Sequence, residues 1–439
     1  MKFSLHVGAQ YSQENFSLSQ LIIAIKNLFD AEGLPGFLVF FVKHFETELL
    51  NSGVSCPRCK SPRCHVHTSR SRTIKTTIGE AALDLMRMRC QACKKTFMPM
   101  GPFLDLDRFS RKSRELEKLS LETLSEESFR RSAAQLEENL GIELPYTTLH
   151  GWFMKTKSIW VSLKQRVETL IADGTGYKMK PMEGSNRGEV RIVVGVTRDG
   201  SVVPYGAWTE ASWKNIGKLL KKTNTPSEKV KFRPIAKTLV SDGEEELIRS
   251  LKKLADSQQR CLFHMTYDLD GILRYKDGAS KDEASRFKAD LNGIIAIEVP
   301  PEDVEPLKNI ENKLLIEVKT KSAEKKLDEL IATLRALSYR KAANYIENAK
   351  ANMFTYVYNW ICLGITNPRV SSLIERMMRE IGRRIKKIGH GWSPKGAERM
   401  TRLILLQITN QKAWTEHWKE KMGYDAQIKL SFLGVTAES

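Results

Sequence analysis

Two aspartates in this 439-residue chain each close a short apolar run and are followed by glycine. They are Asp173, in Thr169-Leu170-Ile171-Ala172-Asp173-Gly174-Thr175, and Asp242, in Leu239-Val240-Ser241-Asp242-Gly243. An apolar run bounded by glycine reads as a buried strand, so each is expected to deliver its acid to a strand end. Two such strands in one sheet would bring two carboxylates to one edge, which is a divalent-metal site in outline. Two ions held a few ångströms apart by such carboxylates can both activate a nucleophile near neutral pH and stabilise a leaving oxyanion. Carboxylate oxygens suit Mg²⁺ (or Mn²⁺). Downstream, Cys261-Leu262-Phe263-His264 ends a run, 260–264, expected to be a strand. His264 there could shuttle a proton, with a buried structural histidine as the alternative. Residues i and i+3 of a strand face opposite sides, which argues against a Cys261–His264 nucleophilic pair. Zinc on these two is disfavoured for lack of nearby partners, leaving Cys261 to core packing.

A second set of chemistry-bearing residues is Cys56-Pro57-Arg58-Cys59 and Cys90-Gln91-Ala92-Cys93. Paired C-x-x-C units supply the four thiolates of a tetrahedral structural Zn²⁺ site. The spacer between them is longer than usual, and its part 73–88 alternates as a β-hairpin would. Cys64, His65 and His67 lie within it as substitute ligands or as part of a nucleic-acid surface. Arg70, Arg72, Lys75, Arg87, Arg89, Lys94 and Lys95 make the ribbon basic, which suits DNA contact, with protein contact as the alternative.

The charge points the same way. Seventy Lys and Arg against 52 Asp and Glu leave +18, with a pI near 9.5, and such an excess favours a polyanionic partner. An anionic membrane surface is the weaker reading. The most apolar early segment, 34–42, is about half the length of a spanning helix. No secretory signal opens the sequence, so a cytoplasmic, nucleoid-associated protein with reduced cysteines is expected. At 41% apolar residues, wholesale disorder is excluded.

The elements that must hold these residues follow from the pattern. Residues 16–30 and 36–50 read as an amphipathic helical hairpin, and 111–124 as a charged helix. The stretches 129–139 and 146–155, around Gly141-Ile142-Glu143-Leu144-Pro145, read as a helix-turn-helix. Its expected core is Ala133, Leu136, Leu140, Leu149 and Trp152, with Thr147, Thr148, His150, Lys155 and Lys157 on a recognition helix; a plain helical hairpin is the alternative. From Asp173 onward the order is a three-strand antiparallel meander turning at Asp199-Gly200, a helix over 212–222, a strand over 237–242, a helix over 244–256 and the strand 260–264. The segment 281–350 reads as helical, with Leu327, Leu330, Ile331, Leu334 and Leu337 at helical spacing.

Asp173-Gly174-Thr175, Ser241-Asp242-Gly243 and Cys261-Leu262-Phe263-His264, in that order, resemble the signatures of DDE transposases, in the broad group of Mutator-like bacterial insertion-sequence enzymes and their relatives. The resemblance covers about 171–399 in spaced motifs. It implies a third acid within Val370-Ser371-Ser372-Leu373-Ile374-Glu375-Arg376, followed by a basic run like Ile381-Gly382-Arg383-Arg384-Ile385-Lys386-Lys387, and so makes Glu375 the third metal ligand. The family usually carries Asn where Ser372 stands, and Glu380 is the rival acid. Arg376, Arg379, Arg383, Arg384, Lys386 and Lys387 are the expected DNA contacts, with 376, 379, 383 and 387 on one helical stripe.

The expected fold class is α+β and multidomain. Its parts are an N-terminal helical segment (1–52), a zinc ribbon (53–105), a helix-turn-helix region (106–160) and a ribonuclease H-like α/β catalytic core (161–275). A helical insertion (276–355) and the last catalytic helix with its basic run and tail (356–439) complete it. The expected activity is Mg²⁺-dependent cleavage at transposon ends and strand transfer by the 3′-hydroxyl. Expected partners are terminal-repeat and target DNA and further copies of the chain, with no membrane. The alternatives are a non-catalytic zinc-ribbon and helix-turn-helix DNA-binding protein, an inactive transposase remnant, or a structure-specific nuclease on the same fold.

Overall fold

The computed structural model describes residues 33–104, 110–156, 166–180, 187–225, 232–300, 306–364, 368, 372–387 and 391–422. The expected helix 16–30 and Lys157 lie outside the described residues. The chain is mixed α+β and divides into two compact units, 1–156 with 418–439, and 157–417.

In the first unit, helix α1 (Leu34–Asn51) packs on a long hairpin of β1 (Cys64–Thr76) and β2 (Gly79–Cys90), to which the short β3 (Thr96–Phe97) adds. Strand β2 alternates as a half-buried strand must, and Ala81, Leu83 and Leu85 join Val42, Ile74 and Met100 in the core beneath α1. Buried Glu46 is compensated, accepting from the Met86 N–H at 2.7 Å and from Lys43 Nζ at 3.1 Å. The hairpin runs further than 73–88. Its register pairs Cys64 with Cys90, so the long spacer is two strand legs that return the chain to its start.

A one-turn helix α2 (Gly101–Leu104) is followed by α3 (Arg114–Glu126), α4 (Phe129–Leu140) and α5 (Tyr146–Lys155). Ser113 and Ser128 cap the first turns of α3 and α4 through their side chains. Gly141 ends α4 with φ 61°, a left-handed conformation that glycine adopts without strain. Ala133, Leu136 and Leu149 are buried as expected, but Ile142, Leu144 and Phe153 complete this core while Leu140 and Trp152 stay half-buried.

In the second unit, β4 (Val167–Lys178), β5 (Arg187–Val196) and β6 (Val202–Trp208) form the antiparallel meander. Helix α6 (Trp213–Thr223) leads to β7 (Ala236–Ser241), α7 (Glu245–Leu251), a 3₁₀ turn and β8 (Ala255–Arg260). The five-stranded sheet has the order β6-β5-β4-β7-β8, with β7 and β8 parallel to β4. Parallel strands need a crossover, which α6 and α7 supply. Both helices pack on a sheet face through Trp213, Ile216, Leu220, Leu247 and Leu251 against Leu170, Val193 and Leu239.

Helices α8 (Leu262–Lys276), α9 (Lys281–Ile295), α10 (Pro306–Ala336), α11 (Arg340–Lys350) and α12 (Thr355–Leu363) share a separate core. Leu327, Leu330, Ile331 and Leu334 point into it, whereas Leu337 is exposed. Polar side chains join this bundle to the sheet edge. The Gln259 side chain donates to the Met353 carbonyl at 2.9 Å and accepts from the Tyr356 N–H at 2.8 Å, and Asn359 donates to Thr238 at 2.8 Å. Helix α13 (Ser372–Ile385) lies against β4 and α14 (Pro394–Thr409) against β6, before α15 (Gln411–Met422).

Two expectations are corrected here. Strand β8 occupies 255–260 rather than 260–264, and the helix expected over 244–256 stops at Leu251 with a 3₁₀ turn to Leu254. Ala-Asp-Ser-Gln-Gln-Arg has no apolar alternation to announce a strand; parallel pairing to β7 and the buried partners of Gln259 make it one. Cys261-Leu262-Phe263-His264 is therefore the first turn of α8, with Cys261 at its N-cap.

Candidate active site

The parallel ladder between β4 and β7 brings the first two acids together. Each paired position, from Val167 with Ala236 to Ile171 with Val240, joins residues 69 apart, and Asp173 and Asp242 are also 69 apart (242 − 173). Asp242 is the first residue past β7. Asp173 is not at a strand end, as the sequence suggested, because β4 continues to Lys178 on its antiparallel side with β5. It sits where the parallel pairing stops and the sheet opens.

Local geometry fixes both carboxylates. Asp173 Oδ1 accepts from the Gly174 N–H at 2.7 Å, and Asp242 Oδ1 accepts from the Glu244 N–H at 3.0 Å. Gly243 has φ 97°, and a Cβ there would lie 0.8 Å from the Arg260 guanidinium. Backbone conformation and close packing both require glycine after this acid. Arg260 is buried and its guanidinium donates to the Tyr345 hydroxyl at 2.7 Å.

Helix α8 then presents Cys261 and His264 on one side, since N-cap and third helical position lie within one turn. The sequence-based objection to their meeting fails for that reason, and their side chains are hydrogen-bonded. Glu375, in the first turn of α13, completes the group. The Cys261 sulfur, a His264 nitrogen and a Glu375 oxygen all lie within 4.8 Å of one another. Glu380 is elsewhere, paired with Arg383 at 3.3 Å on the outer side of α13.

The electrostatics register this crowding. Burial, then the neighbouring Asp242 charge, with Glu375 adding to it, pushes the Asp173 carboxyl up to about 6, against a usual 3.8. The hydrogen bond with Cys261, together with the negative charges of Asp173 and Asp242, outweighs burial and holds the His264 imidazole up at about 9. Negative charge is thus undercompensated at this edge, which is the condition a divalent cation relieves.

The four expected zinc ligands also meet. Cys56 and Cys93 sulfurs are 3.5 Å apart and Cys59 and Cys90 sulfurs 3.6 Å, close to the ~3.8 Å edge of a tetrahedron with ~2.3 Å Zn–S bonds. The two knuckles repeat one geometry. The Lys60 N–H donates to the Cys56 carbonyl and the Lys94 N–H to the Cys90 carbonyl, with φ of 58° and 60° at the lysines. The backbone N–H of Cys93 holds the Cys90 thiol down to about 6. This cluster can hold a metal such as zinc. Cys64, His65 and His67 lie on β1 and outside the four-sulfur group.

Helix α13 buries Ile374, Met377, Ile381 and Ile385 and exposes Arg376, Arg379 and Arg383 in a stripe, whereas Lys387, expected to continue that stripe, and Lys386 are exposed beyond the helix end at Ile385. Arg384 departs from the expectation. It is 2% exposed and lies over the Trp392 ring, because its position falls on the buried side of the helix.

Sequence reasoning missed two features. Arg260 braces Gly243 from β8, and Phe263 and Tyr267 stack on each other in the open, 48% and 63% exposed, beside His264. The signal was the helical spacing of Leu262, Met265, Leu269 and Leu273, obscured once Cys261–His264 was taken as strand.

No protein-family model matches this chain, and no curated protein matches it. Among solved structures it is similar to the Drosophila P element transposase strand transfer complex, at 12% identity and a TM-score of 0.26, over 72% of this chain and 81% of that one. A likeness of that size bears no weight for fold or activity. Among the described residues no helix is long and apolar enough to cross a membrane.

Proposed function

We propose that this chain is a DDE-type DNA transposase on a ribonuclease H-like fold, working in the cytoplasm at the nucleoid as a homo-oligomer. The observation that supports the reading is the single parallel register that carries Asp173 and Asp242, together with the charges of Asp242 and of Glu375, from a helix far along the chain, which add to burial in raising the Asp173 carboxyl. The sheet order, an antiparallel meander continued by two parallel strands, fits that fold. Asp173, Asp242 and Glu375 would hold Mg²⁺ (or Mn²⁺), and the elevated Asp173 carboxyl fits such an ion, since its binding removes the repulsion. When bound, the ion supplies activation of water or a 3′-hydroxyl and stabilisation of the leaving oxyanion.

The remaining steps belong to the chain's own groups. His264 is protonated at neutral pH and faces the carboxylates, so it can donate to a phosphate oxygen seated between them. Phe263 and Tyr267 offer faces on which bases next to that phosphate can stack. Arg376, Arg379, Arg383 and Lys387 hold the DNA backbone by neutralising phosphates along their stripe. The four-cysteine cluster acts as a structural zinc ribbon, and α4 and α5 act as a helix-turn-helix, adding sequence-bearing contacts with transposon ends.

The test pairs binding with cleavage. Asp173→Asn and Asp242→Asn should each lower Mg²⁺- or Mn²⁺-dependent cleavage of end-containing DNA, or nicking of supercoiled plasmid, by at least about a hundredfold. Gel-shift affinity should hold or rise slightly, because each change removes negative charge near phosphate. Variants that cut normally sink the proposal, and cleavage without joining of the 3′-hydroxyl to target DNA would reassign the chain to the nucleases.

A further inference from the structure

The acidic edge contains a donor set of which the proposed Mg²⁺ site uses only Glu375. Cys261 is fully buried, yet its sulfur faces a His264 nitrogen and a Glu375 oxygen, all three within 4.8 Å. Its backbone is fixed, since its N–H donates to the Ser241 carbonyl at 2.9 Å, directly before Asp242. Sulfur, imidazole nitrogen and carboxylate oxygen together form a borderline-soft set that prefers zinc-like ions and is poorly matched to Mg²⁺. A shared ion needs the donors to close to about 3.5 Å, within reach of rotations about the Cys, His and Glu side-chain bonds.

We propose that Cys261, His264 and Glu375 form a second ion site, selective for a thiophilic divalent cation such as Zn²⁺, which shares Glu375 with the Mg²⁺ site and stops cleavage when filled. Binding of Zn²⁺ draws Glu375 and His264 toward Cys261, away from the position between Asp173 and Asp242 where phosphate and Mg²⁺ are held. The inhibitory half rests on the transposase reading, whereas the binding half does not.

Two measurements on the full-length protein, with its ribbon zinc retained, separate these halves. In equilibrium dialysis against Zn²⁺ the chain should take up one ion beyond the ribbon's, and Cys261→Ser should weaken that uptake at least tenfold. One equivalent of Co²⁺ added to zinc-loaded protein should give a sulfur-to-cobalt charge-transfer band that Cys261→Ser abolishes. Cys261→Asp should retain a divalent ion without the band, which guards against misfolding of the serine variant. A band of equal strength in Cys261→Ser, or no second ion in the wild type, overturns the site. In the cleavage assay, Zn²⁺ added over Mg²⁺ should inhibit the wild type and require at least tenfold more ion to inhibit Cys261→Ser, each compared with its own zinc-free rate. Equal zinc sensitivity overturns the inhibitory role. A protein that never cleaves refutes the transposase reading, while the dialysis and cobalt results still decide the site.

Discussion

Replacing Asp173 by asparagine should make the ion-free protein more stable, a sign opposite to that for most buried substitutions. The carboxyl titrates at about 6 in the fold and at 3.8 in the unfolded chain. A raised carboxyl pKa means that the folded state binds the proton more tightly, so the charged form opposes folding. Below pH 3.8 the residue is neutral in both states and contributes nothing. Between 3.8 and 6 the opposition grows with pH, and above 6 it levels off at about 3 kcal/mol, from the 2.2-unit difference at about 1.36 kcal/mol per unit. Asparagine cannot ionise and keeps nearly the same shape, so most of that opposition is relieved. The assay is urea unfolding followed by tryptophan fluorescence at pH 4, 6 and 8 with no added Mg²⁺. The expected gain is ~2–3 kcal/mol at pH 8, shrinking toward zero by pH 4. Added Mg²⁺ should reverse the order, because only the wild type then gains stability from the ion. A variant no more stable than wild type at pH 8, or a gain independent of pH, would show that burial and the neighbouring Asp242 and Glu375 charges do not raise the Asp173 carboxyl and would refute the electrostatic reasoning.

Glu375→Gln should remove Mg²⁺-dependent cleavage by about a hundredfold or more, while Glu380→Gln, which only loses a partly exposed pair with Arg383, should retain it; single-turnover cleavage rates distinguish them. Joint replacement of Cys90 and Cys93 by serine should remove the ribbon zinc from purified protein and unfold the hairpin end, read by metal analysis and by hydrogen exchange of β1 and β2. Replacing Arg376, Arg379, Arg383 and Lys387 with glutamine should flatten the salt dependence of DNA binding by roughly one unit of log–log slope per lost phosphate contact, whereas Arg384→Gln should instead lower stability, since that guanidinium is buried over Trp392.

The strands that carry the acids were readable because their apolar runs are long enough to bury and end in the Asp-Gly dipeptide. The Cys-x-x-Cys pairs were readable because two such pairs supply the four thiolates of a tetrahedral metal site. What the sequence hid were elements held by partners rather than by their own composition. Strand β8 is polar, and only its ladder with β7 and the buried contacts of Gln259 make it a strand. That misreading moved Cys261 and His264 from one helical turn to opposite faces of an imagined strand. The extension of β4 past Asp173 was hidden for a related reason, since glycines at 174 and 176 are poor strand residues but pair throughout with β5. Burial on α13 divides the basic run in a way charge alone does not show, and so Arg384 was grouped with its exposed neighbours.

The three acids stand 69 and 133 positions apart (242 − 173 and 375 − 242), and each is held by interactions that owe nothing to a metal. Asp173 and Asp242 share the β4–β7 register, which cannot slip by one residue without turning Leu170 and Leu239 out of the core. Asp242 is further fixed by the Arg260 guanidinium beneath Gly243. Glu375 is fixed by Ile374, Met377 and Ile381, buried as α13 packs against β4. Repulsion among the carboxylates is therefore met by apolar packing and backbone pairing elsewhere, and the cluster keeps its geometry without a bound cation. On the proposed reading, a site built this way would bind its ion without having to reorganise, leaving the free energy of binding available for the chemistry. The same rigidity leaves the side chains of Glu375 and His264 as the parts able to turn toward Cys261.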